Sequence, residues 1–156
     1  ITKTFDAGAV RAAYEAGITR VGENYLDELE SKRHACADLT HLEWQYVGAI
    51  QSRKIPRLLE CADVIATLAR PKEIDLIAQR RDAARVMIQV DTTTLAQRNG
   101  ATLSEVPGLV TSAQSNGLVV EGLMTVAPQD PYEAQASPGS PRVRTGSDGA
   151  VYGDVG

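Results

Sequence analysis

The chain has 156 residues, of which 43% are hydrophobic, 23% are charged and 4% are aromatic, and its net charge is −4. This is the composition of one globular domain with an aliphatic core. The acidic balance argues against a general nucleic-acid-binding protein, which needs a basic face. No apolar run approaches the ~20 residues that span a bilayer, and the first residues lack a signal-peptide pattern. We therefore expect a cytoplasmic protein without a membrane partner.

The chain alternates short apolar runs with helix-like stretches from its first residues. Ile1 to Thr4 predicts a strand, and Asp6 then predicts the N-cap of a helix that stops at Gly17. A second strand over Ile18 to Gly22 and a helix over Leu26 to Cys36 follow. The first third of the chain thus predicts two strands, each followed by a helix.

The middle of the chain repeats this order. Its clearest strand is almost continuously apolar, as expected for a parallel strand that is buried on both faces. The predicted strands are Trp44–Gly48, Val64–Thr67, Arg85–Val90 and Leu118–Val126. The predicted helices are Ile55–Leu59, a helix with Pro71 in its first turn, and Ser104–Ser115, which Gly117 stops. Loop signals then fill Gln129 to Pro141, before a short strand over Arg142 to Thr145 and a glycine-rich end.

Six such steps predict a parallel α/β architecture, either a doubly wound sheet or a (β/α)8 barrel. A full barrel takes ~250 residues, with ~200 as a lower limit, so the chain is too short for eight complete units. Either the sheet is open or a piece of a barrel is absent. Residues 129–142 are where we expect the missing piece.

In both architectures the ligand site lies at the carboxyl ends of the strands. A lysine there, Lys3, would be an amine nucleophile suited to a Schiff base with an aldehyde, because burial favours the neutral amine. The alternative is an ordinary solvated lysine near a terminus. Glu23 fits an acid–base role or, equally, a carboxylate that caps the following helix.

A second group of candidates lies near the end of the chain. In the segment from Arg144 to Ser147, Gly146 lets backbone N–H groups approach an anion and Ser147 adds a hydroxyl donor. Arg144 would bind a phosphate, a carboxylate or a ring nitrogen. The alternative is a plain glycine-rich loop.

Metal, disulfide and hydrolase chemistry are poorly supported. Cys36 and Cys61 lack metal or disulfide spacing, so we expect two free buried thiols. His34 and His41 have no partners at ligand spacing and are expected at the surface. No G-x-S-x-G segment marks a hydrolase nucleophile, and we assign no catalytic residue and no metal ligand.

Taken in order, six segments resemble the pyridoxal-phosphate homeostasis protein family. They are Ile1–Thr4, Gly22–Tyr25, Trp44–Lys54, Val86–Asp91, Glu121–Met124 and Val143–Ser147. The resemblance implies a (β/α)8 barrel similar to that of alanine racemase (fold type III), here without its N-terminal helix and part of its last units. Residues 1–156 would form one such domain, which binds pyridoxal 5′-phosphate (PLP).

The same resemblance implies the roles of individual residues. Lys3 would carry PLP as an internal aldimine, and Asn24 would lie beside the cofactor. Arg144 would face the pyridine nitrogen, while Gly146 and Ser147 would hold the phosphate. A strand of the Ser-Met-Gly-Met-Ser type, which gives the family a further phosphate contact, has no match between residues 129 and 142.

The function implied is PLP homeostasis and delivery to PLP-dependent apo-enzymes, by a monomer that turns over no substrate. An arginine cannot give the pyridine nitrogen a proton, which leaves the ring a weaker electron sink. Two alternatives remain at this point: a racemase-like PLP enzyme of the same fold type, and a phosphate-binding protein that uses no cofactor.

Overall fold

A computed structural model of the protein describes residues 1–92 and 99–126, together with the backbone of two strands at 144–145 and 150–154. The helices are α1 Ala7–Glu15, α2 Leu26–Ala35, α3 Ile55–Cys61, α4 Pro71–Ala78 and α5 Val106–Ser115, with a 3-10 turn at Ser52–Lys54. The strands are β1 Arg20–Glu23, β2 Glu43–Tyr46, β3 Val64–Leu68, β4 Arg85–Gln89, β5 Val119–Val126, β6 Arg144–Thr145 and β7 Ala150–Asp154.

The described strands form one sheet in the order β1-β2-β3-β4-β5-β7-β6. β1 to β5 are parallel neighbours, and a helix lies between each of them and the next. This confirms the predicted parallel α/β arrangement and brings the carboxyl ends of β1 to β5 to one edge. β7 runs antiparallel to β5, and β6 runs antiparallel to β7. The glycine-rich end did not predict β7.

The strand predicted over Ile1 to Thr4 is wrong. The backbone N–H of Thr2 donates one hydrogen bond to Gly22 O at 3.0 Å, which places this segment beside the end of β1. The chain then turns, since Phe5 N donates to Thr2 O at 3.2 Å and Thr4 has a φ of +68°. The β-branched residues favour a strand locally, but this turn closes before a ladder can form.

The helix boundaries follow the predicted caps. The Asp6 side chain accepts a hydrogen bond from Ala9 N at 3.2 Å and begins α1. Gly17, with a φ of +87°, follows the end of α1, and Gly117, with a φ of +78°, follows α5 in the same way. Such left-handed positions cost glycine little, so both stops confirm the prediction.

The core lies mainly between the sheet and its helices. β3 is buried along its whole length, as are Ile74 and Ile77 of α4. Val64, Ala66, Met87 and Met124 form a second, smaller cluster from the three central strands β3, β4 and β5. Successive strand residues point to opposite faces, so this cluster covers the face of the sheet that lies away from the helices.

Several minor predictions can be compared with the described residues. Cys36 and Cys61 are buried and free, and His34 and His41 are exposed, as predicted. Within the described ranges no helix has the length and apolar character needed to cross a membrane. The expected gap at residues 129–142 lies outside the described residues.

Candidate ligand-binding site

A cavity of about 420 Å³ opens at the carboxyl ends of β1, β2 and β4. Its volume falls within the range of small-molecule sites, and its position is the one where parallel α/β folds bind ligands. The residues that line it come from the strand ends, the loops after them, the start of α2 and the 3-10 turn. They are Asn24, Tyr25, Leu26, Asp27, Tyr46, Val47, Ala49, Gln51, Lys54, Gln89 and Asn99.

The lining is chiefly polar and rich in hydrogen-bonding groups. Asn24, Gln51 and Asn99 contribute amides, and Lys54 contributes a positive charge. Gln89, at the end of β4, donates its side-chain N–H to the carbonyl of Asn99 and so ties the next loop to the strand. The Asp27 carboxylate in the lining is paired with Arg57 at 2.8 Å, so the amide groups and Lys54 suit a small polar anion. The cavity therefore fits a compact phosphorylated molecule in size and in chemistry.

The loop after β2 forms one wall of this cavity and is held on three sides. Val47 N donates to Glu23 O at 2.9 Å, and the buried Thr67 hydroxyl donates to Gly48 O at 2.7 Å. The hydroxyl of Tyr46 donates to Ala49 O at 3.1 Å. These bonds satisfy polar groups that β2 leaves unpaired where it ends, and they fix the wall against β1 and β3.

Gly48 is required where these strand ends meet. A Cβ at this position would lie 2.1 Å from Asn24 O and 2.7 Å from the hydroxyl oxygen of Tyr46. Burial raises the pKa of that Tyr46 phenol above its usual value, with a smaller contribution from Cys61, so the hydroxyl stays a donor at neutral pH. The absence of a side chain at Gly48 thus lets the backbone carrying Asn24 approach β2.

Lys3 does not line this cavity. It lies in the turn after Thr2, it is exposed, and it makes no hydrogen bond or ion pair with the residues that the structure describes. The bond from Thr2 N to Gly22 O nevertheless places Lys3 beside the end of β1, two residues before Asn24. The structure thus brings Asn24 to the cavity and leaves Lys3 next to β1, the strand that Asn24 follows.

Glu23 does not cap the following helix and is not among the residues that line the cavity. It is fully buried, and no side chain makes a capping hydrogen bond at Tyr25, the N-cap residue of α2. Instead Glu23 Oε1 lies 2.9 Å from Lys32 Nζ and accepts a hydrogen bond from the Thr2 hydroxyl at 2.5 Å. Lys32 also donates to Glu28 Oε2 at 2.9 Å.

The charge of Lys32 is balanced by the carboxylates of Glu23 and Glu28. Burial alone lowers the pKa of Lys32, but the hydrogen bonds to Glu23 and Glu28 outweigh it and hold this pKa above its usual value. The hydrogen bond from Lys32, helped by one from Thr4 N, lowers the pKa of Glu28. Lys32 is therefore a buried ammonium and a poor nucleophile.

The remaining predicted residues fall at the end of the chain. Arg144 lies in β6, which pairs with β7, while Gly146 and Ser147 lie outside the described residues. Their roles stay predictions. Among the residues described, no three His, Cys, Asp or Glu side chains come together as a metal site.

Comparison with known proteins identifies the family. Residues 3–138 match the alanine racemase N-terminal domain. The pyridoxal phosphate homeostasis protein of Pseudomonas aeruginosa is 33% identical over 131 residues, which are 81% of this chain and 56% of that protein. That of Vibrio alginolyticus is 35% identical over 148 residues, 86% of this chain and 62% of that protein. The chain belongs to the pyridoxal phosphate homeostasis protein family.

Solved structures agree with the fold. PipY of Synechococcus elongatus without PLP superposes with a TM-score of 0.71 at 27% identity, covering 83% of this chain and 62% of PipY. PipY has also been solved with PLP bound. This confirms the predicted fold class, the barrel domain of the alanine-racemase kind. The chain spans about three fifths of the length of the curated relatives it matches.

Proposed function

We propose that the chain binds pyridoxal 5′-phosphate at the carboxyl edge of the sheet and serves in PLP homeostasis. The observation that carries the proposal is the polar cavity of about 420 Å³ beside Asn24, in a member of a family named for this cofactor. The amides and Lys54 suit its ring substituents and its phosphate. When bound, PLP supplies an aldehyde that combines with a lysine amine and a ring that withdraws electrons.

Lys3 is the proposed attachment residue. The sequence contains four lysines, Lys3, Lys32, Lys54 and Lys72, so attachment can be mapped completely. Lys32 is buried with its donors engaged, and Lys72 is exposed in the first turn of α4. The choice therefore rests between Lys3, which the family motif marks, and Lys54, which lines the cavity.

Borohydride reduction in the presence of PLP, followed by peptide mass mapping, tests this choice. We expect a reducible adduct with its own absorbance band in the wild type, and the label on Lys3. Lys3→Ala should abolish the adduct, whereas Lys72→Ala, which removes an exposed lysine of α4, should leave it unchanged. A label on Lys54 would refute the assignment to Lys3. A wild-type protein that forms no adduct would refute the cofactor proposal itself.

We further propose that the loaded protein turns over no amino acid and passes its cofactor to PLP-dependent apo-enzymes. Support comes from the name of the relatives and from the expectation that Arg144 faces the pyridine nitrogen, which an arginine cannot protonate. Exchange of the α-proton of alanine in D2O should not exceed the rate with free PLP. Faster exchange that Lys3→Ala removes would identify a racemase-like enzyme instead.

A further inference from the structure

The two neighbours of Lys3 in the chain are held by one group of buried and half-buried side chains. We call Glu23, Glu28 and Lys32 the clamp. Lys32 Nζ donates to Thr2 O at 2.8 Å, and the Thr2 hydroxyl donates to Glu23 Oε1 at 2.5 Å. On the other side of Lys3, the backbone N–H of Thr4 donates to Glu28 Oε2 at 3.1 Å. The clamp thus fixes the backbone on both sides of Lys3.

The clamp is also closed on itself. Lys32 Nζ lies 2.9 Å from an oxygen of Glu23 and 2.9 Å from an oxygen of Glu28. Lys32 therefore joins β1, α2 and the N-terminal turn at one atom. If the turn moved relative to β1, the Lys32 ammonium would lose at least one of its three hydrogen bonds. These bonds therefore fix the position of the turn that carries Lys3 relative to β1.

Stability alone gives a weak reason for this arrangement. A buried ion pair is often no more stabilising than apolar side chains of the same volume, because both charges lose their hydration. Glu23 Oε2 is buried and has no hydrogen-bond partner among the described residues, which makes the pair less favourable still. In addition, Thr4 is held at a φ of +68°, a conformation that a β-branched residue rarely adopts.

We propose that Glu23, Glu28 and Lys32 are positioning residues that hold Lys3 where its amine meets the aldehyde of pyridoxal phosphate. This inference rests on the proposed function. In the reaction the neutral amine of Lys3 adds to the aldehyde carbon, a C=N bond replaces the C=O bond, and the two amine protons leave with the oxygen as water. The clamp touches the backbone around Lys3 and leaves its amine free for this step.

The first test measures the rate at which the full chain forms the reducible adduct on Lys3. Lys32→Met removes the donors and keeps most of the side-chain volume, and we expect capture to slow roughly 10- to 100-fold. Lys32→Arg restores a cation with several donors and should recover most of the rate. Lys32→Met leaves two carboxylates without their cation and could unfold the protein, so a second variant is needed. Glu28→Ala serves this purpose, because Glu28 is half-buried and its loss removes only the acceptor of Thr4 N and one partner of Lys32.

A matched control disturbs α2 without touching the turn. Arg33 follows Lys32 in α2, and its guanidinium pairs with Asp63 and donates to the carbonyl of Cys61, away from the turn and from the cavity lining. Arg33→Met should lower the free energy of unfolding and leave the rate of adduct formation unchanged. If the clamp had a merely structural role, the rate of adduct formation would fall in this variant as it does in the clamp variants.

The second test needs no cofactor. Trypsin cleaves after lysine, so the Lys3–Thr4 bond reports how firmly the turn is held. We expect slow cleavage there in the wild type and faster cleavage in Lys32→Met and Glu28→Ala. Cleavage that does not change in these variants would overturn the clamp.

The two proposals fail in different ways. Equal rates of adduct formation in the wild type and both clamp variants would overturn the positioning role and leave the cofactor proposal standing. A wild type without any adduct refutes the cofactor proposal and, with it, the role of the clamp in capture.

Discussion

Replacing Gly48 by alanine gives the sharpest prediction about how the cavity is built. The new Cβ would lie 2.1 Å from Asn24 O, 2.7 Å from the hydroxyl oxygen of Tyr46 and 2.8 Å from its Cζ. Two of these atoms belong to the rigid, buried side chain of Tyr46, and the third is backbone, so no flexible side chain can give way. The loop carrying Asn24 must move by about 1 Å to restore an ordinary contact.

This displacement has a cost that can be measured. Overpacking of this kind lowers the free energy of unfolding by about 1–3 kcal/mol. In a domain of this size each kcal/mol lowers the melting temperature by about 2–4 °C. The shift also moves the Asn24 side chain away from its place in the cavity wall, so Gly48→Ala should bind PLP more weakly as well. Thermal unfolding and PLP titration of the same preparation measure both effects.

Gly108 provides a control with the same chemical change and the opposite expected sign. It lies in α5, and a Cβ there would meet no atom within 4 Å apart from its chain neighbours and the nearby backbone of its own helix. Gly108→Ala should raise the free energy of unfolding by about 0.5–1 kcal/mol, because alanine is the better helix former. If Gly48→Ala melts no lower than the wild type while Gly108→Ala behaves as expected, the close approach at Gly48 is wrong.

Three further predictions concern stability and reactivity. Glu73 accepts hydrogen bonds from two backbone N–H groups before α4, so Glu73→Ala should cost about 1–2 kcal/mol in urea unfolding; an unchanged midpoint would contradict this. Burial alone would raise the pKa of Glu43, but hydrogen bonds from Gln45 and Arg85 outweigh burial and hold this pKa below its usual 4.5. The ionised Glu43 therefore contributes to the free energy of unfolding above pH 4.5, and this contribution is lost as the pH falls below 4.5. Arg85→Met should flatten that part of the stability–pH curve. Burial raises the pKa of Cys61 to about 11, so its reaction with a thiol reagent at pH 8 should be slow until the protein unfolds.

The parallel core could be predicted from the sequence because burial leaves a direct trace there. A strand buried on both faces is almost continuously apolar, as Val64–Leu68 and residues 86–88 at the centre of β4 are, and both strands end within a residue or two of the predicted bounds. Helix ends were predictable for a different reason. Gly17 and Gly117 occupy left-handed positions that few other residues tolerate.

The N-terminal turn could not be predicted from local preference. Ile1 to Thr4 has the composition of a strand, and what bends it is a set of contacts with Glu23, Glu28 and Lys32, each more than twenty residues away along the chain. Lys32 and Glu28 read as ordinary charged residues of a polar helix, since lysine is rarely buried. The signal available in the sequence was only their i, i+4 spacing, which also describes any solvated helix face.

The end of β1 connects Lys3, the proposed attachment residue, with the cavity, and the order of Glu23 and Asn24 explains how. The Glu23 side chain points into the clamp and holds Thr2, while its carbonyl accepts a hydrogen bond from Val47 N. Neighbouring residues of an extended chain point to opposite sides, so Asn24 then faces the cavity. Its own carbonyl packs where Gly48 lacks a side chain. Two adjacent residues thus transmit the position of the turn to the cavity wall, so a change at either residue should disturb both capture by Lys3 and the fit of the ligand.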